Sequence, residues 1–263
     1  MTLLADVVTA SREVTETSSR SKKIAILAEL LARLDPGEVG IAVGFLAGVP
    51  RQGRVGIGYS TIYGIECAPA PEPSLTIEEL NRAIDEVQAT TGSGSAAERR
   101  RILTELLGRA TEDEADFVKR LFTGGLRQGA LAGLMADAVA KAARVSGTIA
   151  RRALMLSGDL SRTAEIAMTE GEEGLRAVGF ELFRPILPML ASTAADVSEA
   201  VESFDRSSVE WKLDGIRIQI HRRGDEVRIY TRNLNDTTDT LPGIVDAVRR
   251  LPLTQAVLDG EPT

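Results

Sequence analysis

Along the first two thirds of the chain, apolar residues recur three and four positions apart, the spacing that gives a helix one apolar stripe. Ile24, Leu27, Leu30, Leu31 and Leu34 predict one such helix, which Pro36 and Gly37 are expected to end. Thr76 followed by Glu79 predicts a capping box, in which hydroxyl and carboxylate each satisfy a free amide at the helix start. Another helix is expected from Ser95 or Ala96, with Ile102, Leu103, Leu106 and Leu107 on its apolar face. Glu112 to Phe122 repeats the pattern through Ala115, Val118, Leu121 and Phe122, and the alanine-rich run Ala130 to Ala143 extends it. Between Gly40 and Tyr63 the glycines and the Val55 to Ile65 run weaken the helical signal, while three prolines make Cys67 to Ser74 a stiff connector. Thr91 to Ser95 reads as a flexible turn with a helix cap; it lacks the lysine of a phosphate-binding loop.

The period changes near Phe183 to Pro188, where two prolines interrupt it. From Ser208 to Asp214 apolar Val209, Trp211 and Leu213 alternate with Glu210, Lys212 and Asp214, which predicts a strand. Asp214–Gly215 then reads as a hairpin turn into Ile216, Ile218 and Ile220, and Gly224–Asp225 as a second turn into Val227, Ile229 and Thr231. A helix over Leu241 to Leu251 and a strand over Ala256 to Glu261 complete the pattern. The expected architecture is a mostly helical domain over residues 1–183, followed by an α+β domain with an antiparallel sheet over 184–263.

Composition narrows the chemistry. Of 263 residues, 43% are hydrophobic and 26% charged, and no apolar run is long enough to span a membrane, so a cytoplasmic globular protein is expected. One cysteine, Cys67, and one histidine, His221, exclude an internal disulfide and most zinc sites, leaving carboxylates and phosphates to hold any metal. A net charge of −7 argues against a uniformly basic nucleic-acid-binding surface, although arginines gather at 99–101, 151–152 and 222–223. His221, beside Arg222 and Arg223, reads as a surface strand residue, and Trp211, Ile216 and Ile218 read as core.

The candidate chemistry sits in Glu210-Trp-Lys212-Leu-Asp214-Gly215-Ile-Arg217, the pattern E-x-K-x-D-G-x-R. On a strand, Glu210, Lys212 and Asp214 share one face at spacings of roughly 6–7 Å. A lysine amine attacks only when deprotonated, and its ordinary pKa of about 10.4 must be lowered by nearby cations such as Arg217 or a divalent metal. Such a lysine would attack the α-phosphate of a nucleotide, with Mg²⁺ bridging phosphate oxygens and pyrophosphate leaving in line.

These residues, with Tyr230–Asn233 and Leu258–Glu261 in order behind them, resemble the first motifs of ATP-dependent DNA ligases, and Pro188 to Ala191 resembles the entry to that family's adenylation domain. Gly124-Gly-Leu-Arg127-Gln-Gly129, after Ala115 to Val118, resembles the segment through which the ligase DNA-binding domain meets the minor groove. The resemblance implies that Lys212 is the adenylated nucleophile, that Glu210 reads the adenine amino group, and that Arg217 and Arg232 contact ribose and phosphate. It further implies that Glu261 binds the ribose hydroxyls and that Gly124, Arg127 and Gly129 form the DNA contact. ATP and Mg²⁺ are the implied cofactors and nicked duplex DNA the implied partner. The closest likeness is to a bacterial, three-domain enzyme, monomeric and acting at the nucleoid.

The family carries further motifs after the third, so the chain, stopping at Thr263, is expected to be an N-terminal fragment of a ligase, inactive alone. An RNA ligase or capping enzyme shares Lys-x-Asp-Gly without needing a large helical domain, and an NAD-dependent DNA ligase carries a different small N-terminal domain. A non-catalytic DNA-binding module is the alternative from another class.

Overall fold

The computed structural model describes residues 1–53, 55–126, 132–189, 194–209 and 214–262. The chain divides into two compact units, Met1–Leu154 with Asp159–Val178, and Met155–Gly158 with Gly179–Thr263.

The first unit is helical: α1 (Leu4–Glu16), α2 (Arg20–Leu31), α3 (Pro36–Leu46), α4 (Tyr59–Tyr63), α5 (Ile77–Ala89), α6 (Ser95–Gly108), α7 (Glu112–Thr123), α8 (Ala132–Ala143), α9 (Gly147–Ser157, counted with the second unit from Met155), α10 (Leu160–Thr169) and α11 (Gly171–Ala177). The predicted capping box is realised, and a second one accompanies it. Thr76 and Glu79 close a capping box on α5, and Thr111 and Glu114 close another on α7. The apolar stripes of α5 and α6 supply Leu80, Ile84, Leu103 and Leu107 to one continuous core.

The N-terminal residues form α1, whose Leu4, Val7 and Val14 are fully buried. Pro36 starts a helix instead of only ending one: it occupies the first turn of α3, where its missing amide hydrogen has no intrahelical acceptor to lose. That helix is buried from Glu38 to Leu46, so no amphipathic pattern announces it. Gly40 and Gly44 let α10 lie close against it, because a Cβ on Gly40 would run into the Glu165 carboxylate and one on Gly44 would sit 3.3 Å from Ser161 Oγ; Gly44 also makes room for the Val49 carbonyl of the following loop, at 3.0 Å. Glu38 is buried yet satisfied, accepting from the amide and the hydroxyl of Thr2 at 2.8 and 2.7 Å.

The second unit holds α12 (Val197–Glu202), β1 (Ile218–Arg223), β2 (Glu226–Thr231), a 3₁₀ turn at Thr238–Thr240, α13 (Pro242–Arg249) and β3 (Gln255–Gly260). The strands form an antiparallel sheet in the order β2-β1-β3. Ile218, Ile220, Val227 and Ile229 pack one sheet face onto Val245 and Val248 of α13. At roughly 1.5–3 kcal/mol for each fully buried aliphatic side chain, this small cluster is the main support of the unit. A helical unit followed by a small antiparallel sheet with a helix agrees with the architecture expected from the periodicity.

β1 starts later than the alternation suggested. Asp214 to Arg217 is not strand, and Ile216 is 60% exposed instead of core, whereas Ile218 is buried as expected. Arg222, expected on the surface, points into the α13 side of the sheet. There it donates to the carbonyls of Val248 and Leu251 at the C-terminal end of α13, and to Gly224 O. These carbonyls, which also accept from the Leu251 and Leu253 amides, gain a charged donor, and a cation at a helix C-terminus is favourable.

Candidate functional site

Because β1 runs antiparallel to both neighbours, its first residue lies beside the last residues of the other two. Ile218 pairs with Thr231 on one side and with Gly260 on the other. Arg217, Arg232 and Glu261 are therefore each one step beyond the ladder at the same edge of the sheet. All three line a cavity of about 460 Å³, together with Met189, Gly215 and Thr231. A second cavity of about 270 Å³, walled by Ile186, Leu187, Pro188 and Asp259, shares Met189, Arg217, Thr231 and Arg232 with it. Three residues singled out from separate stretches of sequence thus meet at one cleft.

Their partners differ. Arg217 grips Asp259 through Nε at 3.1 Å and Nη2 at 2.8 Å, and Nη1 donates to the Met189 carbonyl at 3.4 Å. The guanidinium holds the Asp259 carboxyl below the usual carboxylate range. Arg232 and Glu261 are exposed and make no hydrogen bond or ion pair among the described residues, so both present charge to the cleft. Thr231 adds a buried hydroxyl oxygen with no hydrogen-bond partner there.

Gly215, read as a hairpin residue, has another reason to lack a side chain. A Cβ there would approach the Pro262 carbonyl oxygen to 2.4 Å and Glu261 Cγ to 3.0 Å, so the glycine lets the end of β3 pass against it. Lys212 and Glu210, with Trp211, lie outside the described residues. Among the described residues no group of three or more His, Cys, Asp or Glu side chains could hold a metal ion.

In the helical unit, Gly124 ends α7 in the left-handed conformation at φ 69°, its amide donating to Arg120 O and Leu121 O. A glycine is the residue best suited to that turn. Arg127 and Gly129 lie outside the described residues. The arginine clusters are largely engaged within the protein: Arg99 donates to Thr90 O, Arg100 to Gly64 O, Arg101 to Glu98 and Glu105, Arg151 to Asp137 and Arg152 to Val178 O. These engaged arginines are not a free basic stripe.

Sequence reasoning missed Thr231, Met189 and Asp259 as cleft residues. Asp259 stood in view within the Leu258–Glu261 run, but only the β1–β3 register reveals its partner.

Residues 59–140 match a family model described as DNA ligase N terminus, and residues 188–262 match one described as ATP dependent DNA ligase domain. The chain belongs to the ATP-dependent DNA ligase family. It is 49% identical over 261 residues to a probable DNA ligase of Saccharopolyspora erythraea, covering 99% of this chain and 51% of that protein. Probable DNA ligases of Pseudarthrobacter chlorophenolicus and Rhodococcus opacus are each 48% identical, over 98% of this chain and 51% and 52% of theirs. The chain spans about half the length of the curated relatives it matches. No helix among the described residues is long and apolar enough to cross a membrane.

Proposed function

We propose that this chain carries the DNA-contacting and nucleotide-accepting parts of an enzyme that seals nicks in duplex DNA with ATP. Lys212 is the nucleophile: its neutral amine attacks the α-phosphorus of ATP, a nitrogen–phosphorus bond forms, and the bond to pyrophosphate breaks. The AMP then passes from Lys212 to the 5′-phosphate at the nick, and the 3′-hydroxyl displaces it to form the phosphodiester. Mg²⁺ held by the nucleotide phosphates supplies charge neutralisation. This reaction is proposed for a polypeptide of the relatives' length.

The observation that carries the reading is the meeting of Arg217, Arg232 and Glu261 at one sheet edge, at the end of β1 that Lys212 precedes by a few residues in sequence. A pair of cations beside a carboxylate suits a nucleotide: Arg232 faces phosphate, Glu261 accepts from ribose hydroxyls, and Glu210 reads the adenine amino group. Arg217, tied to Asp259, shapes the floor and keeps one face toward ribose or phosphate. The segment from Gly124 through Arg127 to Gly129 meets the DNA backbone and minor groove, where small residues permit close approach.

Trp211 is the sole tryptophan and adjoins Lys212, which makes its fluorescence the direct probe. Titration with ATP should change it saturably, with GTP and NAD much weaker; equal responses to all three would remove the adenine-reading assignment and ATP preference together.

A further inference from the structure

The sheet face away from α13 carries a set of side chains that the nucleotide chemistry does not use. His221 is fully buried there, contrary to its reading as a surface residue. The amide of Phe183 donates to His221 Nδ1 at 2.8 Å, and His221 Nε2 lies 2.7 Å from Gln219 Oε1. Gln219 in turn pairs with the backbone of Ile186, accepting from its amide at 2.9 Å and donating to its carbonyl at 3.4 Å. The Tyr230 hydroxyl donates to the Phe183 carbonyl at 2.8 Å. Phe183 itself has φ 69°, a conformation unfavourable for a residue with a Cβ, so these bonds hold it against local strain.

This network fixes the proton on the ring. An amide N–H can only donate, so Nδ1 is bare; with Gln219 oriented by Ile186, Nε2 carries the hydrogen. We propose that neutral His221, in the Nε2–H form, and Gln219 are the positioning pair of the cleft: they clip residues 183–186 to β1 and thereby set the wall formed by Ile186 to Met189, and protonation of His221 releases the clip. A second ring proton would point Nδ1–H at the Phe183 N–H, two donors face to face, and the contact would open.

The groups around the imidazole favour this behaviour. Tyr230 meets it edge-on at 5.3 Å between centroids, and Phe180 and Phe183 lie at 5.7 and 6.5 Å. Across the ladder its partners are Val257 of β3 and Arg228 of β2, and Arg228 is paired with Glu226 and Asp236. Arg223, from the same strand, lies over the Phe183 ring at 5.4 Å. Among the described residues no carboxylate hydrogen-bonds the ring, and burial moves its pKa down. The fastened state is therefore the one present near neutral pH, and acid unfastens it.

The inference rests on the nucleotide reading only for what the wall faces; the clip itself is testable without nucleotide. His221 is the sole histidine, so its ring nitrogens and Cε1–H give unambiguous NMR signals. The expected spectrum at about pH 7.5 is that of the Nε2–H tautomer, and between about pH 7.5 and about pH 5 the Phe183 and Ile186 amides should lose at least about tenfold protection, corrected for intrinsic exchange, in step with the imidazole titration. His221→Asn keeps an acceptor near the Nδ1 position and should keep both amides protected at either pH. His221→Phe should leave the Phe183 amide unprotected at every pH; should that variant not fold, Gln219→Ala, with the imidazole intact, should expose Ile186. An Nδ1–H tautomer, or amides that stay protected while the ring titrates, would overturn the proposal. AMP added to the same samples should shift Ile186 and Met189 at neutral pH only; a clip that behaves as stated with no AMP response at any pH would leave the clip standing and remove the nucleotide reading.

Discussion

Arg217 passes over the residue opposite it in the β1–β3 ladder and pairs with Asp259, two residues earlier on β3, at 2.8 and 3.1 Å. Continued by one step, the register would set Arg217 against Glu261. The diagonal choice leaves the Glu261 carboxylate facing the cleft while Asp259 fixes the guanidinium from behind. Asp259→Asn should then weaken ATP or AMP binding by about tenfold, as Arg217 loses its charged partner and turns toward Glu261. Its effect on unfolding should stay below about 1 kcal/mol, because the pair is substantially exposed. Calorimetric binding together with urea unfolding separates the two effects.

Gly215→Ala tests the close passage of β3. The added methyl would have to move the Pro262 carbonyl from 2.4 Å, a backbone atom and not a flexible side-chain tip. A cost of about 1–3 kcal/mol is expected in urea unfolding, with loss of nucleotide affinity through displaced Glu261. Gly243→Ala, where a Cβ meets nothing within 4 Å, should fall within about 0.5 kcal/mol of the parent.

Acid should destabilise the second unit through His221. Burial holds its folded pKa below 6.5, so the unfolded chain takes up the proton first as the pH falls. The His221 contribution is thus complete above about 6.5 and declines below it until the folded pKa is passed. Asp259 does not enter this window: its pKa is lowered from 3.8, and its contribution is lost only as pH falls through that lower value. Urea midpoints at about pH 7.5 and about pH 5.5 should differ, and His221→Asn should shrink the difference.

Thr76→Ala and Thr111→Ala each remove the hydroxyl half of a capping box, and each should cost about 1 kcal/mol in urea unfolding. Arg127→Ala should instead leave stability unchanged while weakening nicked-duplex binding and lowering the salt slope by about one unit, measured by anisotropy.

What could be read in advance follows from how local the cause is. The capping box of α5 is set by Thr76 and Glu79, three apart, and was visible as such, whereas the same spacing at Thr111 and Glu114 of α7 was passed over. The burial of α3 was not visible, because Pro36 has the same signature at a helix start as after a helix end, and a helix buried on nearly all sides has no polar face to betray it. His221 and Arg222 looked like surface charge because their hydrogen-bond partners, Gln219 and Gly224 apart, come from 183 and from 248 and 251, far along the chain. The site was legible as a set of residues, Arg217, Arg232 and Glu261, but its assembly depends on the ladder register, which no local pattern encodes.

The central claim is that Lys212 accepts AMP. A polypeptide of the relatives' length, incubated with ATP labelled at the α-phosphate and Mg²⁺ and run on a denaturing gel, should carry a labelled band that GTP or NAD does not replace. Lys212→Ala should abolish that band while nicked-DNA binding persists; a band of undiminished intensity in the variant would contradict the account.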